Sequence, residues 1–174
     1  MIRRIMQVCR ALRAQITTAD KLFIDKYLTA EQKKLFMQMN THDKKHALNT
    51  AYSAEKLMTG KADINQKKLL KAALLHDIAR TADEIILSDK IIFVLIRAIS
   101  KNLLNYIAAD NARGFLSNRR RALYICEHHA EIAANKLEEL QEQEIADIVR
   151  RHHWPAQKND SLELKLLRQA DELN

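Results

Sequence analysis

Glycine and proline are nearly absent. The 174 residues hold two of the first and one of the second, which leaves few sites for tight turns and favours helices. Cysteine is equally scarce: Cys9 and Cys126 form no Cys-x-x-Cys, which argues against a disulfide scaffold or a thiolate zinc knuckle and fits a reducing, cytoplasmic setting. Cys126 reads as a buried, inert thiol. Long apolar runs are missing too. The longest candidate, Ile91 to Ile96, meets Arg97 at once, far short of the roughly 18 to 20 residues that span a bilayer, so no transmembrane segment is expected. A glycine-rich phosphate loop, an internal repeat and sustained apolar–polar alternation are also lacking.

What is present describes one globular domain. The chain is 47% hydrophobic and 29% charged, too apolar for a disordered segment and long enough to bury a substantial core. Its formal charge of +7 is partly gathered in runs, Lys33-Lys34, Lys44-Lys45, Lys67-Lys68, Arg119-Arg120-Arg121 and Arg150-Arg151. Such runs are either solvated helix faces or a basic rim that draws in an anion by long-range steering. At the amino terminus Ile2, Ile5, Met6, Cys9 and Leu12 recur at helical spacing beside four arginines. A first structural helix is expected there, although a membrane-surface or targeting segment has the same chemistry.

Helical periodicity runs through the rest. Two helices or one broken helix are expected over 5–17 and 20–39, with Thr29, Glu31 and Gln32 able to restart a turn. A broad stripe of Ala47, Leu48, Ala51, Tyr52, Ala54 and Leu57 predicts a helix over 43–58, stopped near Gly60. The segment 64–79 is apolar on nearly all sides and should be central. One long or two shorter helices follow over 83–109, then a loop at 114–118, helices over 121–140 and 142–153 ending at Trp154-Pro155, and a last helix opened by a capping box from Asp160 to Glu163.

Histidine and aspartate recur at positions that otherwise look central: His46, His76-Asp77, His129, His152-His153 and Asp171. Asp171 follows Leu164 and Leu167 on one helical face. A carboxylate buried there needs a hydrogen bond, a cation or a metal. A structural salt bridge is the alternative. His76 and Asp77 would leave a helix about 100° apart, able to approach one cation from adjacent positions.

In this order and setting the residues resemble the HD-domain superfamily of metal-dependent phosphohydrolases, in its small prokaryotic form. The matching motifs are His46 in HDKKHAL, His76 and Asp77 in AALLHDIAR, His129 in HHAEIAA, His152-His153 in IVRRHHW and Asp171 in LLRQADELN. The resemblance implies an all-α, compact bundle of about seven or eight helices. It makes 1–174 a single domain, with 1–40 a helical extension packed on it and 43–174 carrying the metal motifs. It implies that His46, His76, Asp77 and Asp171 hold one divalent ion, with Asp77 free to bridge to a second held by His129 and His152. His153 would join that second ion, orient a ligand or contact substrate, and His128 would stay on the surface or behind a ligand. Manganese or iron is favoured, while zinc, cobalt, nickel or magnesium also suits imidazole and carboxylate donors.

One departure stands out. Many relatives carry lysine three residues after the paired aspartate, where this chain has Arg80, a planar fork in place of a compact ammonium, which would either contact phosphate or make a helix-end salt bridge or dipole contact. The expected activity is hydrolysis of a phosphate ester or anhydride, in a nucleotide-like small molecule, by metal-activated water, with Asp77, Arg80 and His153 in catalytic roles. Nucleic acid is less favoured as a partner because no binding module is recognisable. A homo-oligomer is compatible with the apolar stretch Ile91 to Ile107, whose other role is internal packing. The alternatives are a ligand-sensing or interaction module with a structural metal, and an iron-dependent oxygenase.

Overall fold

Residues 15–111 and 113–174 are described in the computed structural model. The helix expected over 5–17 and the amphipathic stretch at 1–12 lie outside them, apart from residues 15–17, which are not helical. Nine helices occur among the described residues, one or two more than expected, because two segments break. The first pair is α1 (Thr18–Tyr27) and α2 (Ala30–Gln38). Thr17 with Asp20, and Thr29 with Gln32, form reciprocal capping boxes that satisfy the first free amides of each helix. The second break falls at Ser100, between α5 (Leu87–Ile99) and α6 (Lys101–Ile107). Its extended backbone ends one helix while its hydroxyl accepts from Leu103 N–H to start the next.

Around these stand α3 (Thr41–Met58), α4 (Gln66–Leu75), α7 (Ser117–Glu139), α8 (Gln143–Arg151) and α9 (Leu162–Glu172). No strand occurs among the described residues, and the one β-type contact is an isolated bridge between Met39 and Thr81. Leu69, Leu70, Ala72, Ala73, Leu74 and Leu75 are all fully buried, so α4 is the central helix that its all-round apolar pattern requires. Its neighbours meet it with small residues, Ala47, Ala51 and Ala54 from α3, Ala146 from α8 and Ala170 from α9, which lets helix axes approach closely. Lys71, the buried one of this helix's three lysines, reaches Glu142 at 2.6 Å, and Gln32 reaches the same oxygen at 2.5 Å. Ile24, Tyr27, Leu28, Phe36 and Met39 bring α1 and α2 onto the same core.

Three boundaries differ from the sequence expectation for identifiable reasons. The helix expected over 64–79 ends at Leu75, and His76 to Ala79 continue as tight turns, with Ile78 N–H to Leu75 O and Arg80 N–H to Asp77 O. The chain is drawn off the helix axis by Ala82 N–H on Gln38 O at 2.8 Å. The helix expected from residue 121 starts at Ser117. The last helix is capped by Ser161, whose hydroxyl accepts from Leu164 N–H. Asp160 closes the preceding turn on Gln157 N–H instead, and Glu163 caps a different helix through Asn65 N–H at 2.9 Å.

Helix α5 does not pack internally as its composition suggests. Ile91, Ile92, Leu95 and Ile99 face outward, and Phe93 is its aromatic contact with the core. Among the described residues no helix is long and apolar enough to cross a membrane.

Candidate metal centre

Four local devices bring the histidines and aspartates to one place. The turn after α4 carries His76 and Asp77, each 1% exposed. Helix α3 supplies His46 one turn into its length. The hairpin of α7 and α8 supplies His129 on one arm and His152-His153 at the end of the other. That hairpin turns through Gln141, a non-glycine residue at φ 61°. Glu142 N–H bonds Leu137 O and Gln141 N–H bonds Glu138 O, a left-handed helix end that folds α8 back along α7. Finally α9 carries Asp171 from the opposite side.

The helix ends are tied together by Arg168, which sequence reasoning passed over. Its guanidinium donates to Arg151 O at 2.9 Å, His152 O at 3.2 Å and the Asp160 carboxylate at 2.5 Å. The first two acceptors are terminal carbonyls of α8 that have no helical partner. Asp160, buried, also lies 3.5 Å from Arg151. The clasp therefore fixes the backbone from which His152 and His153 project.

Three imidazoles share one arrangement. Nδ1 of His76 lies 2.9 Å from Ala73 O, Nδ1 of His129 2.8 Å from Cys126 O, and Nδ1 of His152 2.5 Å from Val149 O. A carbonyl can only accept, so each Nδ1 carries a proton and each Nε2 faces the centre, as a lone pair on His129 and His152 and, on His76, once the ring gives up its second proton. Nε2 of His76 lies 3.5 Å from both Asp77 Oδ2 and Asp171 Oδ1, and His46 Nε2 lies 2.9 Å from Asp171 Oδ1. On the other side His129 Nε2 lies 3.5 Å from Asp77 Oδ1 and 2.9 Å from His153 Nε2.

All seven residues singled out from the sequence thus converge. They form three overlapping groups: His46, His76 and Asp171; His76, Asp77 and His152; His129, His152 and His153, with donor atoms in each group within 4.8 Å of one another. His76 Nε2, Asp77 Oδ1 and His152 Nε2 are buried and make no hydrogen bond within the protein. Leaving such atoms unpaired costs about 1–3 kcal/mol each, and a divalent ion would satisfy them. The donors are imidazole nitrogens and carboxylate oxygens, a set that suits the first-row metals. Cys126 is not among them; burial pushes its thiol up to about 11.

The electrostatics separate two sides. Burial opposes charge on His76, but Asp77 and Asp171 outweigh it and raise the ring to about 9. Burial, and then the Arg80 guanidinium, hold His129 well below the ordinary histidine value; burial and the neighbouring His76 hold His152 at about 3. Asp77 remains ionised despite burial because Arg80, His76 and His129 surround it.

Arg80 donates to Asp77 Oδ2 at 2.5 Å, and its Nη2 lies over the His129 ring, 3.1 Å from Nε2 and 3.4 Å from Nδ1. Beside it opens a cavity of about 790 Å³ whose walls include Phe93, Arg97, His129, His153 and Trp154. Trp154 stands half out of the protein on this wall, 49% exposed, rather than anchoring the core. His128 is exposed and stacks against Tyr124 with ring centroids 4.4 Å apart.

The arginine runs do not form a free basic rim. Arg119 pairs with Asp89, Arg121 with Glu84 and Asp110, Arg150 with Glu131 and Glu138, and Arg151 with Asp147. Arg97, at the cavity, pairs with Glu127.

The HD-domain family model matches residues 44–174, the span that carries every residue of this centre. No curated protein and no solved structure matches the chain.

Proposed function

The chain belongs to the HD-domain family, and on that premise we propose that it is a metal-dependent phosphohydrolase acting on a phosphate ester or anhydride of a nucleotide-like small molecule. The observation that carries this reading is the set of overlapping nitrogen–oxygen groups with buried, unpaired donor atoms. His46, His76, Asp77 and Asp171 would hold one ion, with manganese or iron favoured. His129, His152 and His153 are the donors available to another. A divalent ion, when bound, supplies Lewis acidity, activation of water and positive charge against the phosphoryl oxygens.

The chain's own residues supply the rest. Asp77 stays anionic and presents oxygens toward both groups. The backbone carbonyls of Ala73, Cys126 and Val149 hold the Nδ1 side of three rings, so each imidazole is oriented toward the centre before reaction. His153 is exposed at the cavity and can pass a proton to or from a substrate oxygen. The cavity volume lies within the range of small-molecule sites, and Trp154 and Phe93 provide flat or apolar contacts beside Arg97. Because Arg97 is neutralised by Glu127, substrate charge would be met mainly at the metal centre and Arg80.

The test measures metal content and phosphate release over a mixed nucleotide and phosphoester panel, comparing wild type with Asp77→Ala. Loss of tightly held metal and a fall in turnover of more than about 100-fold are expected. Unchanged metal content and turnover would refute the assignment.

A further inference from the structure

We propose that the outward side of α5, together with α6 and the turn at Phe115, is a docking surface for a lipid bilayer that carries anionic headgroups. The inference stands apart from the metal-centre reading and does not depend on it.

The case begins with what is left bare. Ile99, Tyr106 and Phe115, at 79%, 83% and 103% exposure, are the three most exposed large apolar side chains among the described residues. Ile91, Leu95 and Ile99 recur every fourth residue and so line one side of α5. Arg120, in the first turn of α7, donates to Ile107 O at 2.8 Å, and its own carbonyl accepts from Ala109 N–H at 3.2 Å. These bonds lay the end of α6 beside the turn that carries Phe115 and Leu116. Monomers rarely leave bare an apolar patch of more than a few hundred Å², and six side chains of this size, each at least 45% exposed, surpass it. Helix α5 is fastened to the body by ion pairs, Lys90 to Asp43, Asp89 to Arg119 and Arg97 to Glu127, which hold it in place while its apolar stripe stays uncovered.

Charge decides the occupant. Residues 87–121 hold seven basic side chains against two acidic ones, and so five of the chain's seven net positive charges. Both carboxylates are taken, Asp89 by Arg119 and Asp110 by Arg121. Lys101 and Arg113 are exposed and enter no ion pair among the described residues, and residues 1–14 and 112 contain no carboxylate to supply one. A second copy would bring the same net-positive face against itself. A nucleic acid would meet the cations, but its phosphates offer no seat to an aliphatic stripe. The boundary of an anionic bilayer takes both. Aliphatic and phenyl groups sit below the headgroups, a tyrosine ring rests at their level, and the long stems of Lys101 and Arg113 let their charges reach the phosphates. Because α5 also supplies Phe93 and Arg97 to the cavity wall, docking places that cavity next to the membrane surface.

The full chain is sedimented with vesicles of phosphatidylcholine containing about 30% phosphatidylglycerol, and with vesicles of phosphatidylcholine alone. Wild type should bind the anionic vesicles at least about tenfold more tightly, and lose most of that preference at about 0.5 M salt. Lys101→Gln and Arg113→Gln should each weaken binding about fivefold, and Ile99→Ser with Phe115→Ser together by about tenfold or more. Lys34→Gln, an exposed lysine on α2, should change it less than about twofold. Circular dichroism establishes that each variant is folded, and the two charge variants carry the test if the apolar pair is not. Equal or absent binding to the two vesicles would overturn the inference. So would anionic binding that the folded apolar pair leaves unchanged, since that would belong to another surface. A dimer in analytical ultracentrifugation that the apolar pair dissociates would make the face a self-association interface instead, and binding of duplex DNA without binding of vesicles would make it a nucleic-acid site.

Discussion

Replacing Arg168 by methionine keeps the apolar stem and removes the guanidinium that ties α8 to α9. His152 O loses its donor, and Arg151 O keeps only Trp154 N–H at 2.9 Å. The Asp160 carboxylate keeps Gln157 N–H at 2.8 Å and the more distant Arg151. A hydrogen bond involving a charged group is worth about 1.5–3 kcal/mol net, and water can reach part of this site because Arg168 is 13% exposed. A total loss of about 3 kcal/mol follows. For a domain of this length that is a fall of roughly 6–12 °C in Tm, measurable by calorimetry or urea unfolding. Arg168→Lys should recover the charge on Asp160 but not the fork, and lie between the two. Amide shifts should centre on residues 151 to 154 and 160. A methionine variant within about 0.5 kcal/mol of wild type would refute the clasp, since that is the scatter of ordinary surface substitutions.

Two further outcomes follow from local geometry. Gln141→Gly should stabilise the protein by about 1 kcal/mol, because glycine adopts the left-handed φ of 61° without the Cβ penalty; urea midpoints at constant m decide it, and destabilisation would mean that the Gln141 side chain contributes more than its backbone costs. Asp20, buried in α1, is paired with Lys45 at 2.8 Å and Tyr52 at 2.9 Å; burial alone would raise it, but Lys45, Thr17 and Tyr52 hold it at about 2. Its folded pKa lies below the unfolded value of about 3.9, so its contribution, about 2 kcal/mol, is present above that value and lost as pH falls toward 2. Stability of wild type and Asp20→Asn should differ by this amount at neutral pH and converge in acid; a constant gap would assign the effect to something other than ionisation.

The metal-centre residues were legible in the sequence because each is a chemically costly group on an otherwise apolar helical face. His76-Asp77 inside AALLHDIAR and Asp171 after Leu164 and Leu167 needed no long-range knowledge to be noticed. The end of α4 at Leu75 was not legible: no glycine or proline marks it, and the segment to Arg80 is rich in good helix formers. What stops the helix is the tertiary pull of Gln38 O on Ala82, together with the local pairing of Arg80 with Asp77. The same applies to charge. Arg150 and Arg121 look free in sequence because their carboxylates, Glu131, Glu138, Glu84 and Asp110, lie 11 to 37 residues away. Asp160 misled for a local reason: it stands beside the true cap, Ser161, and three residues before a glutamate whose partner is a distant backbone amide.

The backbone carbonyls behind His76, His129 and His152 have a consequence for how such a protein can change. The groups that select the tautomer belong to the main chain, which every amino acid supplies, so no point substitution at Ala73, Cys126 or Val149 deletes the acceptor itself. The cavity wall, by contrast, is side chains: Phe93, Val94, Trp154. Chemistry and selectivity are thereby written in separable parts of the molecule. A library randomised at the wall would explore new substrates while the imidazoles stay in register, which makes the centre a portable cassette for directed evolution.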